Sequence, residues 1–273
     1  MKKQAAGLCR CVRGVAIPLT FLLLFVSLTL TVTITYYFAV AKVTSKTTQL
    51  KSSQSRVGVV SLSNDILSVA WAPSSSKIHF FDDYGGSLVA RPAAQKLLIN
   101  LTDNAEFSEV VFDAFVGKLV YQLASSESPS EYFLAGDERV IVNNTASDLA
   151  RIYVSAGAES QEITVWYRPY ASSSLTGFEG GKPQNTIRIY IVTLGSSQAF
   201  TVSGSFKLKI TCLNVTYATY TYNFSRSIAS LELKAKVDNA QTMVSLPISS
   251  VAEGAVVRLE VLTCHICLQK VGA

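Results

Sequence analysis

The residues of this chain best suited to metal or redox chemistry lie near its C-terminus, in the motif Cys264-His265-Ile266-Cys267. Two cysteines separated by two residues occur in zinc sites and in disulfide oxidoreductases. The motif lacks the βαβ setting of a thioredoxin-like site, and a zinc site would need Cys212 as a further ligand, because His79 is the only other histidine. We therefore predict no metal and no cofactor.

The same cysteines are better suited to a structural disulfide. Disulfides persist in extracytoplasmic regions, and an odd number of thiols allows at most one bridge among Cys212, Cys264 and Cys267. We expect Cys212 to pair with either of the other two. Cys267 is slightly favoured, because it shares strand parity with the apolar residues Val257, Leu259 and Val261.

Catalytic motifs are missing from the sequence. It has no G-x-S-x-G, no P-loop and no H-E-x-x-H, and its two histidines provide few general bases. We therefore predict that the protein is not an enzyme, and the alternative of an ectoenzyme has little support. Tyr217, Tyr220 and Tyr222 could form a sugar-stacking face, although tyrosine is also an ordinary strand residue.

The charges are unevenly distributed along the chain. Eight of the 24 basic residues precede Asp65, the first acid, which leaves 16 basic residues against 19 acidic ones in the remainder. Basic residues that flank an apolar segment indicate anionic lipid headgroups as partners. No basic patch typical of a nucleic-acid-binding protein is present, so we predict no nucleic-acid partner.

Between these basic groups, residues 15–41 form a run of 27 residues without a charge. Its part LTLTVTITYY, residues 28–37, alternates apolar and polar side chains as a strand does. The length of the run decides against a strand, because about 20 apolar residues in a helix span a bilayer and a lone strand leaves its backbone unsatisfied there. We predict a transmembrane helix.

The helix can extend beyond the bilayer, because no proline occurs between Pro18 and Pro73. We predict a helix over about 15–71, whose last turns pack on a globular region through Val59, Leu62, Ile66 and Val69. The alternative is a flexible linker over residues 42–55. A second alternative is removal of the segment by signal peptidase at Ala39-Val40-Ala41, for which the apolar run is too long.

The N-terminal boundary of this run carries a processing motif. Arg13-Gly14 followed by VAIPLTFLLLFVSLTLTVTITYY resembles the class III signal peptide of archaeal type IV pilin-like proteins and archaellins. The resemblance covers about residues 10–71. It implies that a prepilin-type peptidase cuts after Gly14, that Val15 becomes the mature N-terminus, and that the helix is kept as a filament core beside other pilin-like subunits. Leu19 replaces the glutamate that many bacterial pilins carry at mature position five.

After Pro73 the pattern changes to β-structure. Short alternating runs such as FKLKITC recur about every 10 to 15 residues and are separated by turn signals, which is typical of an antiparallel sandwich. The segment Ala171 to Asn185 is a candidate loop between two stacked sandwiches. The fold class is therefore mainly β, with a long N-terminal transmembrane and stalk helix followed by a β-sandwich region.

The domain order that follows is a basic leader at 1–14, a helix at 15–72 and an extracytoplasmic β-region at 73–273. Four N-glycosylation sequons favour this orientation, since all lie after the apolar run, at Asn100, Asn143, Asn214 and Asn223. We expect a single-pass, non-enzymatic cell-surface protein of the pilin-like type. The alternative is an anchored extracellular binding or adhesion module that does not polymerise.

Overall fold

The computed structural model describes residues 12–103, 105–124, 131–157, 160–195 and 199–271. In these ranges one helix, α1 (Val12–Val69), precedes fifteen strands. The chain divides into two compact units, one ending at Lys51 and the other beginning at Ser52. The second unit, called the head below, therefore begins earlier than the boundary at residue 73 expected from the sequence.

In the first unit, α1 is uninterrupted through residues 42–51 and continues as helix to residue 55. The flexible-linker alternative is therefore wrong. Threonine hydroxyls that would otherwise compete for backbone groups bond to carbonyls of the preceding turn, as Thr44 does to Val40 at 3.0 Å and Thr47 to Val43 at 2.9 Å. The polar composition of this stretch is thus accommodated within a helix.

The last turns of α1 belong to the head. Val59, Leu62, Ile66 and Val69 follow a spacing of three or four residues and are all buried in one core, as the sequence predicted. The helix ends at Val69, where Trp71 adopts a left-handed backbone with φ of 69°. The Ser75 hydroxyl caps this end by donating to the Val69 carbonyl oxygen at 3.0 Å.

The strands are short in the first half of the head and long in the second. They are β1 (Ser76–Phe81), β2 (Gly86–Arg91), β3 (Lys96–Thr102), β4 (Ser108–Phe115), β5 (Lys118–Ala124), β6 (Tyr132–Ala135), β7 (Ala150–Ala156), β8 (Ser160–Tyr167), β9 (Tyr170–Glu179), β10 (Lys182–Gly195), β11 (Phe200–Ser203), β12 (Phe206–Phe224), β13 (Ser230–Val237), β14 (Ala240–Pro247) and β15 (Ala255–Val271).

These strands form three sheets. The central sheet has the order β1-β12-β15-β10-β9, a six-stranded sheet has the order β11-β2-β5-β8-β7-β6, and a four-stranded sheet has the order β14-β13-β3-β4. Neighbouring strands are antiparallel except β10 and β15, which pair in parallel over twelve positions. The predicted mainly β, sandwich-like fold is confirmed, with this one parallel pair that the sequence did not indicate.

The central sheet is shared by two cores on its opposite faces. In β15, Cys264, Ile266 and Leu268 lie in core 1, against the six-stranded sheet and α1. Val257 and Leu259, of the opposite parity, lie in core 2, against the four-stranded sheet. Each core covers one part of the central sheet, and side chains are exposed beyond it, such as Arg188 and Arg258 on one face and Lys209 on the other.

The predicted division of the sandwiches at residues 171–185 is wrong. This segment is the β9–β10 hairpin of the central sheet, with its turn at Gly180 and Gly181. Its serine-rich composition suggested a loop, but Ser172 and Ser174 pair in register with Arg188 and Thr186 on an edge strand. Polar side chains are tolerated in such a strand because water covers one of its faces.

Candidate functional site

The first candidate is the apolar segment of α1, defined here as residues 18–41. Its side chains are exposed along the whole segment, including Phe21 at 76% and Tyr36 at 71%. Among the described residues, α1 is the one helix long and apolar enough to cross a membrane, and it lies near the N-terminus. The helix is compatible with a single-pass membrane anchor, although a signal sequence passes the same test of length and composition.

Five hydroxyl side chains in the middle of the apolar segment bond within the helix. The hydroxyls of Thr31, Thr33 and Thr35 each donate to the carbonyl oxygen four residues earlier at 2.8 Å. Ser27 and Thr29 donate to carbonyl oxygens three residues earlier at 2.9 Å. These bonds explain how the alternating segment LTLTVTITYY can be a helix in a membrane, because a hydroxyl that bonds to its own helix does not need water.

The proposed processing residues lie at the start of α1. Arg13, Gly14 and Val15 are helical in backbone, and their side chains lie outside the described residues. Pro18 is inside the helix of the full chain, since α1 begins at Val12. It would fall in the first turn, where proline is tolerated, only after a cut at Gly14.

The second candidate is a cluster on the central sheet. It lies on the same face as core 1 but outside that core, where Arg188 and Arg258 are exposed. Glu260 is 8% exposed, accepts a hydrogen bond from Arg188 Nε at 2.7 Å, and forms an ion pair with Arg258, whose Nε lies 3.2 Å away. Tyr217 lies on the same face of the sheet, opposite Leu262 in the neighbouring strand. Burial by itself raises the pKa of Glu260, but Arg188, Tyr217 and Arg258 together lower it more, so the pKa lies below its usual value.

Aromatic side chains continue this cluster along β10 and β9. Tyr190 lies two residues after Arg188, and its ring contacts Trp71 edge-on at a centroid distance of 5.4 Å. Tyr170 is paired with Tyr190 across the strands, with ring centroids 5.9 Å apart. We call the combined surface the aromatic–arginine face; its residues are Trp71, Tyr170, Arg188, Tyr190, Tyr217, Arg258 and Glu260.

The sequence reasoning missed most of this face and misplaced one part of it. Tyr217 lies opposite Leu262, whereas Tyr220 lies opposite Leu259, a core 2 residue, so the tyrosines do not form one surface. Residues three apart in a strand point to opposite faces. The usable signal was the non-core parity of β10, in which Arg188 and Tyr190 alternate with buried isoleucines.

The structure brings Cys212 next to Cys264. Their sulfur atoms are 3.5 Å apart in core 1, and burial raises the pKa of the Cys264 thiol to about 12. Cys267, which the sequence slightly favoured, lies opposite Thr211 on the other face of β15. All three are thiols in this structure, so the disulfide stays a prediction, with Cys264 now the better placed partner.

The same geometry separates the residues of the motif at 264–267. Because Cys264 and Cys267 face opposite sides of β15, they do not converge on a common point. His265 bonds instead to the hydroxyls of Thr193 at 2.9 Å and Thr216 at 3.2 Å. Among the described residues, no group of three or more His, Cys, Asp or Glu side chains is arranged to hold a metal ion.

The four sequons differ in accessibility. Asn143 is exposed in the connection before β7, and Asn214 and Asn223 are exposed on β12. Asn100 is half-buried on β3, where its Nδ2 donates to the Ser108 hydroxyl at 2.9 Å. Asn143 lies outside the strands, and its Nδ2 donates to the Ser245 carbonyl oxygen at 3.4 Å. Glycosylation at all four positions stays a prediction.

None of the protein-family models matches the chain, and the comparisons with curated proteins and with solved structures return no match.

Proposed function

We propose that this chain is a membrane-anchored, non-enzymatic cell-surface protein whose apolar helix is retained and packs against helices of similar subunits, as in pilin-like filaments. The observation that carries the proposal is the apolar segment, an exposed and uncharged helix in which the hydroxyls of Ser27 and of the threonines at 29–35 bond within the helix. Such a surface requires lipid or another apolar helix around it. The proposed location is the cell membrane, with the head outside the cytoplasm.

The proposal includes processing by a prepilin-type peptidase between Gly14 and Val15. The resemblance of this region to class III signal peptides supports it, because a basic residue and glycine precede the long apolar run. Arg13→Glu is expected to block the cut, which an unprocessed band on a denaturing gel would show. Unchanged mobility of the mutant beside the wild type would refute the processing step.

Helix packing can be tested separately within the apolar segment. Ser27, Thr31 and Thr35 are spaced by four residues and so share one side of the helix, where small side chains permit close approach of another helix. Replacing all three by leucine should weaken self-association in detergent about threefold to thirtyfold. Thr29→Leu with Thr33→Leu is the matched control, because it adds similar bulk to another side. Equal association of both variants, measured by sedimentation equilibrium, would contradict helix packing on the predicted side.

A truncated head provides the complementary test, and the structure changes where it should begin. A truncation at Pro73 would remove Leu62 and Ile66 from core 1, so the chain should start at Ser52 instead. We expect this truncated chain to be a soluble monomer by static light scattering. A stable oligomer would place the association in the head.

The second candidate function is an anchored binding module that does not polymerise. The aromatic–arginine face favours it, because exposed arginine and tyrosine are side chains enriched at recognition surfaces. The two functions are compatible in one molecule, since one uses the apolar segment and the other uses the head.

A further inference from the structure

We propose that the aromatic–arginine face binds an acidic saccharide, meaning a chain of sugar units that carry carboxylates. The proposal extends the second candidate function and does not depend on whether the apolar segment polymerises. It rests on three features of the face: its charge, its aromatic rings and its rows of hydroxyls.

The positive charge of the face is only partly neutralised. Two guanidinium groups share the single carboxylate of Glu260, and their side chains are 47% and 44% exposed at Arg188 and Arg258. Arg188 hydrogen-bonds Glu260 through Nε, and Nε is also the atom of Arg258 nearest to Glu260, so the terminal N–H groups of both guanidinium groups are potential donors to a ligand. One unit of positive charge thus remains on the face, which complements a ligand carboxylate.

The aromatic rings provide surfaces for sugar rings. Tyr217 is 53% exposed and lies on the same face of the sheet as Glu260, so its ring is accessible to a ligand. Trp71 and Tyr170 are half-buried on either side of Tyr190 and add further aromatic surface. Rigid rings with a polar tip suit a ligand that is apolar on one face and hydroxylated at its edges.

Small hydroxyl side chains line the same face. Ser172 is paired with Arg188 across β9 and β10, and Thr219 and Thr221 are paired with Glu260 and Arg258 across β12 and β15. Such hydroxyls can both donate and accept hydrogen bonds, as the hydroxyls of a sugar also do. A saccharide lying along the strands would therefore find partners on both sides of the arginines.

The same features disfavour other classes of ligand. A nucleic-acid surface needs many cations, whereas this face has one net positive charge. A second protein chain would favour an apolar centre, but the centre of this face is the charged group around Glu260. A weakly cationic and aromatic surface fits an acidic saccharide best.

The experiment uses the full chain in detergent, titrated with oligogalacturonate as the acidic probe. The neutral control is the same oligosaccharide after reduction of its carboxylates to alcohols. Tryptophan fluorescence reports binding, because Trp71 is half-buried on the face while Trp166, the other of the two tryptophans, is buried. We expect a saturable change with the acidic probe and at least about tenfold weaker binding of the neutral one, since a charged hydrogen bond is lost.

Charge-matched variants locate the site. Arg188→Gln is expected to weaken binding about tenfold or more, whereas Lys209→Gln removes the same charge from the opposite, open face and should leave binding unchanged. Arg258→Gln is the second variant, used if Arg188→Gln fails to fold. It is the milder change, because Arg258 forms an ion pair with Glu260 at 3.2 Å, whereas Arg188 donates a hydrogen bond at 2.7 Å.

Several outcomes would overturn the proposal. Equal binding of both oligosaccharides, or no saturable change at millimolar probe, would exclude a carboxylate-specific site. Equal weakening by Arg188→Gln and Lys209→Gln would show unspecific attraction between charges. Self-association of the Ser52-start chain that Arg188→Gln abolishes would assign the face to a second copy of the chain instead.

Discussion

Two segments of this molecule have the same alternating pattern and opposite structures. Residues 28–37, LTLTVTITYY, lie in the exposed part of α1, whereas residues 206–212, FKLKITC, form the buried start of β12. In both, every second side chain is apolar. Alternation therefore indicates a strand only when its polar positions are able to face water.

The residue types at the polar positions explain the difference. In β12 they include Lys207 and Lys209, which are exposed while Leu208 and Ile210 are buried in core 1. In the apolar segment they are threonines, whose hydroxyls bond to the helix itself. A charged side chain needs solvent, whereas a threonine hydroxyl can bond to the backbone instead. Only the pattern in β12 therefore requires one face to be exposed to water.

The largest expected difference between the segments is in the stability of the head. Leu208→Ala should lower the free energy of unfolding by about 2–5 kcal/mol, because it leaves a cavity in core 1. Leu30→Ala is the matched control and should not change it, since Leu30 is exposed. Urea denaturation followed by tryptophan fluorescence checks both. An unchanged midpoint for Leu208→Ala would contradict the assignment of core 1.

A change of charge should also have different effects in the two alternating segments. Thr31→Lys should disfavour membrane insertion by about 2.5–3.5 kcal/mol, because the new ammonium group would lie within the hydrocarbon. The reverse change in β12, Lys209→Thr, should alter head stability by no more than about 0.5 kcal/mol, because Lys209 faces water. Carbonate extraction of membranes measures the first effect. Full retention of Thr31→Lys would count against a membrane-spanning segment.

The faces of β12 and β15 also predict the disulfide. Cys212 and Cys264 share core 1, so oxidative folding should link them and leave Cys267 free. The bridge would close a loop between positions 52 apart and stabilise the head by about 2–4 kcal/mol. Peptide mapping without reduction should find the bridge in Cys267→Ser and lose it in Cys264→Ser. A bridge to Cys267 would mean that the strand parity is wrong.

Acid should affect the head and leave the apolar segment unchanged, because the segment has no Asp, Glu or His to take up a proton. Burial by itself raises the pKa of Asp103, but backbone N–H groups of residues 105–107 and the Arg226 guanidinium lower it to about 2. Since the folded pKa lies below the ordinary aspartate value of 3.8, this contribution to stability is present above about pH 4 and is lost as the pH falls through about 2.

Asp103→Asn keeps an oxygen acceptor for the backbone and removes the charge that pairs with Arg226 at 2.6 Å. It should cost about 1–2 kcal/mol at pH 7 and flatten the dependence of head stability on pH between 2 and 4. Thermal unfolding at several pH values checks this. An equally steep dependence in the variant would assign the acid sensitivity to other carboxylates.

Much of the fold could be predicted from local patterns. The helix, its packing through Leu62 and Ile66, and the mainly β class follow from periodicity and from the long uncharged run. The parallel pairing of β10 with β15 could not be predicted, because it depends on which distant strands meet. The segment at 171–185 was misjudged because composition does not separate an edge strand from a loop.

The candidate face was harder to predict than the fold. Arg188, Tyr190 and Glu260 come from two strands that are distant in sequence, and their contact depends on the parallel register. Within each strand they occupy the parity that does not point to core 2. Residues of the same parity later in these strands, such as Val192 and Cys264, are buried in core 1. Only the tertiary structure therefore shows that Arg188, Tyr190 and Glu260 lie outside that core.

The most direct test of the account is the intact mass of the protein extracted from membranes. The central claim is that the apolar segment is retained after processing, so we predict a mature chain that begins at Val15. A chain that begins at Met1 would leave a simple anchor without pilin-like processing. A chain that begins at Lys42 would show that the segment is a removed signal sequence and would contradict both the anchor and the filament helix.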